Sequence, residues 1–92
     1  MYYDMETLER EIINHMRSIK LTKNGNKVSK GSIILSVSNN LKMDESEDYL
    51  IEEAFNDLLK GDIVRSSYRK YDENGKLKCI VRSTDEEKFY LK

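Results

Sequence analysis

Apolar positions recur along the first half of the chain at three- and four-residue steps. Met5, Leu8, Ile12, Met16 and Ile19 share one face of a helix that Asp4 can cap. Acids crowd its first turns (Asp4, Glu6, Glu9, Glu11) and bases close it (Arg17, Lys20), the order the helix dipole favours. His15 lies at the edge of the stripe, where a boundary packing role is expected. Lys23-Asn24-Gly25-Asn26-Lys27 reads as a turn, and Val28 as a short extended piece. Ser29 or Ser32 can cap a second, weaker helix carrying Ile33, Ile34, Val37 and Leu41, with Asn39-Asn40 ending it.

The stretch from Asp44 to Lys60 is the clearest helix. At about 100° per residue, Leu50, Ile51, Ala54, Phe55, Leu58 and Leu59 fall on one side. Glu45, Tyr49, Glu52, Glu53, Asn56 and Lys60 fall on the other, and Gly61 closes the helix.

From Ile63 to Ser83 the pattern alternates, as in a hairpin. Asn74-Gly75, between Glu73 and Lys76, fits the two central positions of a type I′ turn flanked by an ion pair. That turn sets Tyr71 opposite Lys78, Arg69 opposite Ile80 and Ser67 opposite Arg82. Val64, Tyr68, Leu77, Cys79 and Val81 then form an apolar face, and Arg65, Arg69, Tyr71, Lys78 and Arg82, with Ile80 and Ser67, the other. Residues 84–92 fit either a short helix capped by Thr84 or an extended end using Phe89, Tyr90 and Leu91.

Composition narrows the class. Ninety-two residues, 38% hydrophobic and 36% charged, make one small domain with a modest core. The lone cysteine, Cys79, excludes an internal disulfide and a cysteine zinc cluster and fits a small apolar strand residue. No apolar run is long enough for a membrane helix, and the acidic start lacks a signal core. A reduced, cytoplasmic location is expected. Catalysis is not expected: no Gly-rich phosphate loop, no histidine beside a nucleophile and no metal-ligand cluster stands in the sequence. The acidic run DESED lacks the glycine and spacing of a calcium loop. No cofactor or metal is expected.

The order helix, turn with a short extended piece, helix, helix, hairpin resembles a winged helix-turn-helix domain. Lys42-Met43-Asp44 stands at the helix-helix turn, and LLKGDIV (Leu58 to Val64) where a third helix breaks and a wing begins. The resemblance covers residues 4–83 and leaves 84–92 as a short tail. It implies a single α+β domain, three helices followed by a β-hairpin wing. It also implies that the third helix, Asp44 to Lys60, enters a major groove, and that the wing touches phosphates or the minor groove. The fold is equally reused as a protein-protein module.

Charge is segregated beneath a net charge of -1. Arg17, Lys20, Lys23, Lys27, Lys30 and Lys42 precede the third helix with no acid among them. The hairpin carries Arg65, Arg69, Lys70, Lys76, Lys78 and Arg82 against Asp72 and Glu73, and the helix between is acidic. A DNA-docking wing would use Arg65, Arg69, Lys78 and Arg82 on phosphates and Tyr71 on a base or sugar, helped by Lys23, Lys27 and Lys30. Glu45, Glu52 and Glu53 oppose deep groove insertion, since each like-charge approach costs on the order of 1 kcal/mol. Two function classes follow. One is a nucleic-acid-binding protein, a transcription regulator or an accessory factor of DNA replication or a mobile element. The other is an interaction module or adaptor whose acidic helix, around Tyr49, Glu52, Glu53 and Asn56, meets a basic protein. Homodimerisation through the first helix or the tail is a further expectation.

Overall fold

The computed structural model describes residues 4–22, 27–81 and 83–92. Three helices come first: α1 (Met5–Thr22), α2 (Lys30–Leu41) and α3 (Asp48–Lys60), the last preceded by a 3-10 turn at Glu45–Glu47. Four short strands follow: β1 (Val64–Ser66), β2 (Arg69–Tyr71), β3 (Leu77–Ile80) and β4 (Phe89–Leu91). The result is a small α+β domain with the winged helix-turn-helix topology.

The caps follow from local chemistry. Asp4 Oδ1 accepts from the Thr7 N–H at 2.8 Å, which satisfies one orphan donor of α1. Ser29, not Ser32, caps α2: the Ser32 N–H donates to Ser29 Oγ at 3.2 Å. The helix runs past Asn39-Asn40 to Leu41 and ends on Lys42, whose φ of 56° is left-handed. Its N–H reaches the Asn39 carbonyl. Gly61 caps α3 in a right-handed conformation, and the left-handed residue is the next one, Asp62 (φ 62°). Aspartate tolerates that region better than most side chains.

The core joins Leu8, Ile12 and Met16 of α1 to Ile33 and Val37 of α2 and to Ile51, Ala54, Phe55 and Leu58 of α3. Met5, expected in the stripe, sits a turn too early and stays exposed. Val64 and Phe89 complete the cluster from the strands. Residues 84–92, whose pattern fits helix or strand, are extended where they matter: β4 pairs antiparallel with β1, with Val64 facing Leu91 and Ser66 facing Phe89. Val28 forms an isolated bridge to Phe89, so the short extended piece after α1 borders the same sheet.

The hairpin corrects the expected one in two ways. Its base is β1 with β4, and only its tip is β2 with β3. Ser67 N–H bonds Lys88 O while Val81 N–H bonds Tyr68 O, so residues 83–87 lie outside the paired part of the return strand. The tip turn also differs. Asn74 does not have positive φ, so the turn is not type I′. Asp72 takes it over: its backbone carbonyl accepts from Gly75 N–H at 3.0 Å, and its Oδ1 accepts from Asn74 and Lys76 N–H, each at 2.9 Å. Within the turn Gly75 is left-handed (φ 82°), and the strand register shifts between Lys70 and Tyr71, where Lys78 is the extra residue of a bulge. Arg69 faces Ile80 as expected, but Tyr71 faces Leu77 rather than Lys78. The expected partner of Ser67, Arg82, lies outside the described residues.

Candidate nucleic-acid interface

Strand alternation sorts the wing base into two faces. Val64, Ser66 and Phe89 point into the core, so Arg65 and Tyr90, which face each other across β1 and β4, lie on the outer side. Arg65 is the hub of that side. Its guanidinium donates to both carboxylate oxygens of Asp62 (Nε–Oδ1 3.2 Å, Nη2–Oδ2 3.0 Å) and to Gly75 O at 3.2 Å. It also stacks on the Tyr71 ring, 3.8 Å from Cζ to the centroid. These bonds hold the Asp62 carboxyl below the usual carboxylate range and raise the Arg65 guanidinium further. Arg65, expected to be a phosphate contact, thus fastens the tip turn to the end of α3. Lys92 Nζ adds a second cation 3.5 Å from Asp62.

The tip itself is different. β2 and β3 pack chiefly on each other, and every residue of β3 is exposed. At the tip the apolar face drawn from alternation therefore covers nothing: Leu77 is 50% exposed and Cys79 is exposed as well, and Ile80, placed on the opposite face, is 68% exposed. Arg69, Lys70, Lys76 and Lys78 enter no ion pair among the described residues. Lys70 also lines a cleft of about 580 Å³, together with Lys27, Lys88, Asp85 and Glu86. The molecule measures 42 × 25 × 24 Å, long enough for such a projecting hairpin.

Of the loop lysines, Lys23 lies outside the described residues, as does Arg82 on the return strand. Lys27 is exposed, with its Nζ 5.4 Å above the Tyr90 ring. Lys30 is engaged: it donates to Glu52 Oε1 at 2.7 Å and lies 5.9 Å from the Phe55 ring centroid. That pair ties α2 to α3 and occupies one of the acids expected to meet a partner. Glu53 and Asn56 remain exposed, and Tyr49 is 60% exposed.

Tyr90 and Lys88 join the candidate face without having been singled out in the sequence, and Lys70 and Lys76, counted there only among the bases of the hairpin, stand exposed at its tip. Tyr90 is readable once Phe89 is assigned inward, because its neighbour must then point out. His15 is half-buried, its Nε2 has no partner, and burial pushes its pKa down, in keeping with packing at the stripe's edge. No group of His, Cys, Asp or Glu among the described residues could hold a metal. No helix among the described residues is long and apolar enough to cross a membrane. Comparison with protein-family models, with curated proteins and with solved structures gave no match.

Proposed function

We propose that this domain binds nucleic acid through its wing. The observation that carries the reading is the tip: a projecting hairpin with Arg69, Lys70, Lys76 and Lys78 outside any ion pair among the described residues and no packing duty for β3. A cation without an intramolecular partner keeps its full attraction for a phosphate. The acidic side of α3 does not enter a groove in this reading. The mechanism is electrostatic docking, suited to a regulator or to an accessory factor of replication.

The test is a fluorescence-anisotropy titration with random-sequence DNA between about 50 and 200 mM salt. Affinity should fall steeply with salt. Changing Arg69, Lys70, Lys76 and Lys78 together to alanine should flatten the slope by about 0.7–0.9 for each phosphate that is no longer neutralised. Unchanged binding by that variant would sink the wing reading.

A second reading, a protein-interaction surface on α3, is favoured by Tyr49, which stands 60% exposed beside Glu53. Under it, Tyr49→Ala with Glu53→Lys abolishes capture of a basic partner while DNA binding is unaffected.

A further inference from the structure

The outer side of the wing carries more than charge. From the linker to the tip, cations and rings alternate: Lys27 over Tyr90, Tyr90 facing Arg65 across the strands, and Arg65 stacked on Tyr71. None of these side chains belongs to the hydrophobic core. The two tyrosines are half-buried and Lys27 is exposed. Both rings come from strands, and Arg65 is pinned by Asp62 and Gly75, so the surface is ordered before any ligand arrives. The face is turned away from the helices, because Val64, Ser66 and Phe89 point toward them.

We infer that Tyr71 and Tyr90, braced by Arg65, whose own side chain is only 12% exposed, form a stacking platform for unpaired bases, and that the ligand of the wing is single-stranded nucleic acid. The inference rests on the nucleic-acid reading above and specifies its substrate class. A duplex hides the faces of its bases and offers a wing only phosphates and groove edges. A single strand exposes a π-face at each base, and aromatic rings or guanidinium planes beside a cationic track take it up without sequence preference. Lys27 at one end and Arg69, Lys70, Lys76 and Lys78 at the other supply that track. The chain's acids bear on the same choice. Asp62, the carboxylate at the platform, is engaged by Arg65 and Lys92. A single strand seated on this face has no need to meet Glu45, Glu53 or Asp57, which belong to α3 and the 3-10 turn before it and not to the strands. A wide duplex would bring more of its phosphates toward the body.

The experiment uses the full chain with fluorescein-labelled oligo-dT of about 15 nucleotides, within the span a small binding domain covers, and with a duplex of equal length. The variants are Tyr71→Leu and Tyr90→Leu, with Tyr71→Phe and Tyr90→Phe as ring-preserving controls. Circular dichroism and thermal melts check folding, and Tyr→Gln at the same position serves if a Leu variant fails to fold. The platform predicts tighter binding of the single strand than of the duplex. Each Leu change should weaken the single strand by about tenfold, and each Phe change should bind like the parent. The salt slope should stay the same, because every phosphate keeps its cation. Tyrosine fluorescence should be quenched on binding and less so in the Leu variants. Binding with duplex preferred, or with Leu variants as tight as the parent, would overturn the platform and leave the wing as a phosphate clamp. Failure to bind either nucleic acid would overturn both readings.

Discussion

Phe89, three residues from the end of the chain, meets Phe55 of α3 edge-on, with ring centroids 4.7 Å apart at 89°. This T-shaped contact ties the last strand to the middle of the core, where Phe89 is 4% and Phe55 1% exposed. Residues 84–92 thus hold part of the fold's interior.

Phe89→Ala should cost about 3–5 kcal/mol, the usual range for emptying a buried aromatic site. In a domain this small that is most of the stability. Urea denaturation followed by circular dichroism checks it. A loss below about 1 kcal/mol would mean that β4 does not close the core.

Lys42 ends α2 with a φ of 56°, a conformation that strains a side chain and suits glycine. Its side chain is exposed and in no ion pair among the described residues. Lys42→Gly should therefore stabilise the fold by up to about 1 kcal/mol. A lower denaturation midpoint for the variant would contradict the left-handed cap.

Glu9 of α1 has its pKa raised by burial, by a hydrogen bond with Asp57 of α3 and by that residue's negative charge. A raised carboxyl favours the protonated form in the folded state. Its contribution is complete below the ordinary glutamate value and is lost as pH rises through the folded one. Asp4 and Asp62, with lowered values, contribute in the opposite sense, losing stability as pH falls. The difference between Glu9→Gln and the parent isolates the first effect. The variant should gain on the parent as pH rises from about 4 to 7, by roughly 0.5 kcal/mol for a partly exposed pair. Melting temperatures across that range settle it, and a flat difference would remove the Glu9–Asp57 repulsion.

Arg65→Lys keeps a positive charge but cannot make the fork to both oxygens of Asp62 or the planar stack on Tyr71. The tip should loosen while the helical core stays intact. Amides of β2 and β3 should exchange faster by hydrogen exchange, with α1 and α3 protected as before. Equal protection of the tip would show that Gly75 and Asp72 hold the wing unaided.

Much of this was legible from local pattern. The stripes of α1 and α3, the cap at Asp4, a serine cap for α2 at Ser29 or Ser32 and the existence of a turn near Asn74-Gly75 all depend on near neighbours in the chain. The acidic outer side of α3 followed from the same periodicity. Side-chain competition defeated the turn type, because the Asp72 carboxylate captured two N–H groups; next to the turn Tyr71 meets Leu77, while Arg69 keeps its expected partner Ile80. A bulge leaves no mark in a two-residue alternation until it has occurred.

What only tertiary structure decided concerns partners distant in sequence. Pairing of β1 with β4 instead of a continuation of the tip hairpin depends on Phe89 finding Phe55. That pairing turns Tyr90 outward beside Arg65 and under Lys27. It also separates the cations. Arg65 and Lys30 are taken by Asp62 and Glu52, while those at the tip stand in no ion pair among the described residues. A sequence states how many charges a segment carries. Which of them remain available is set by the long-range packing that brings the others within reach of an acid.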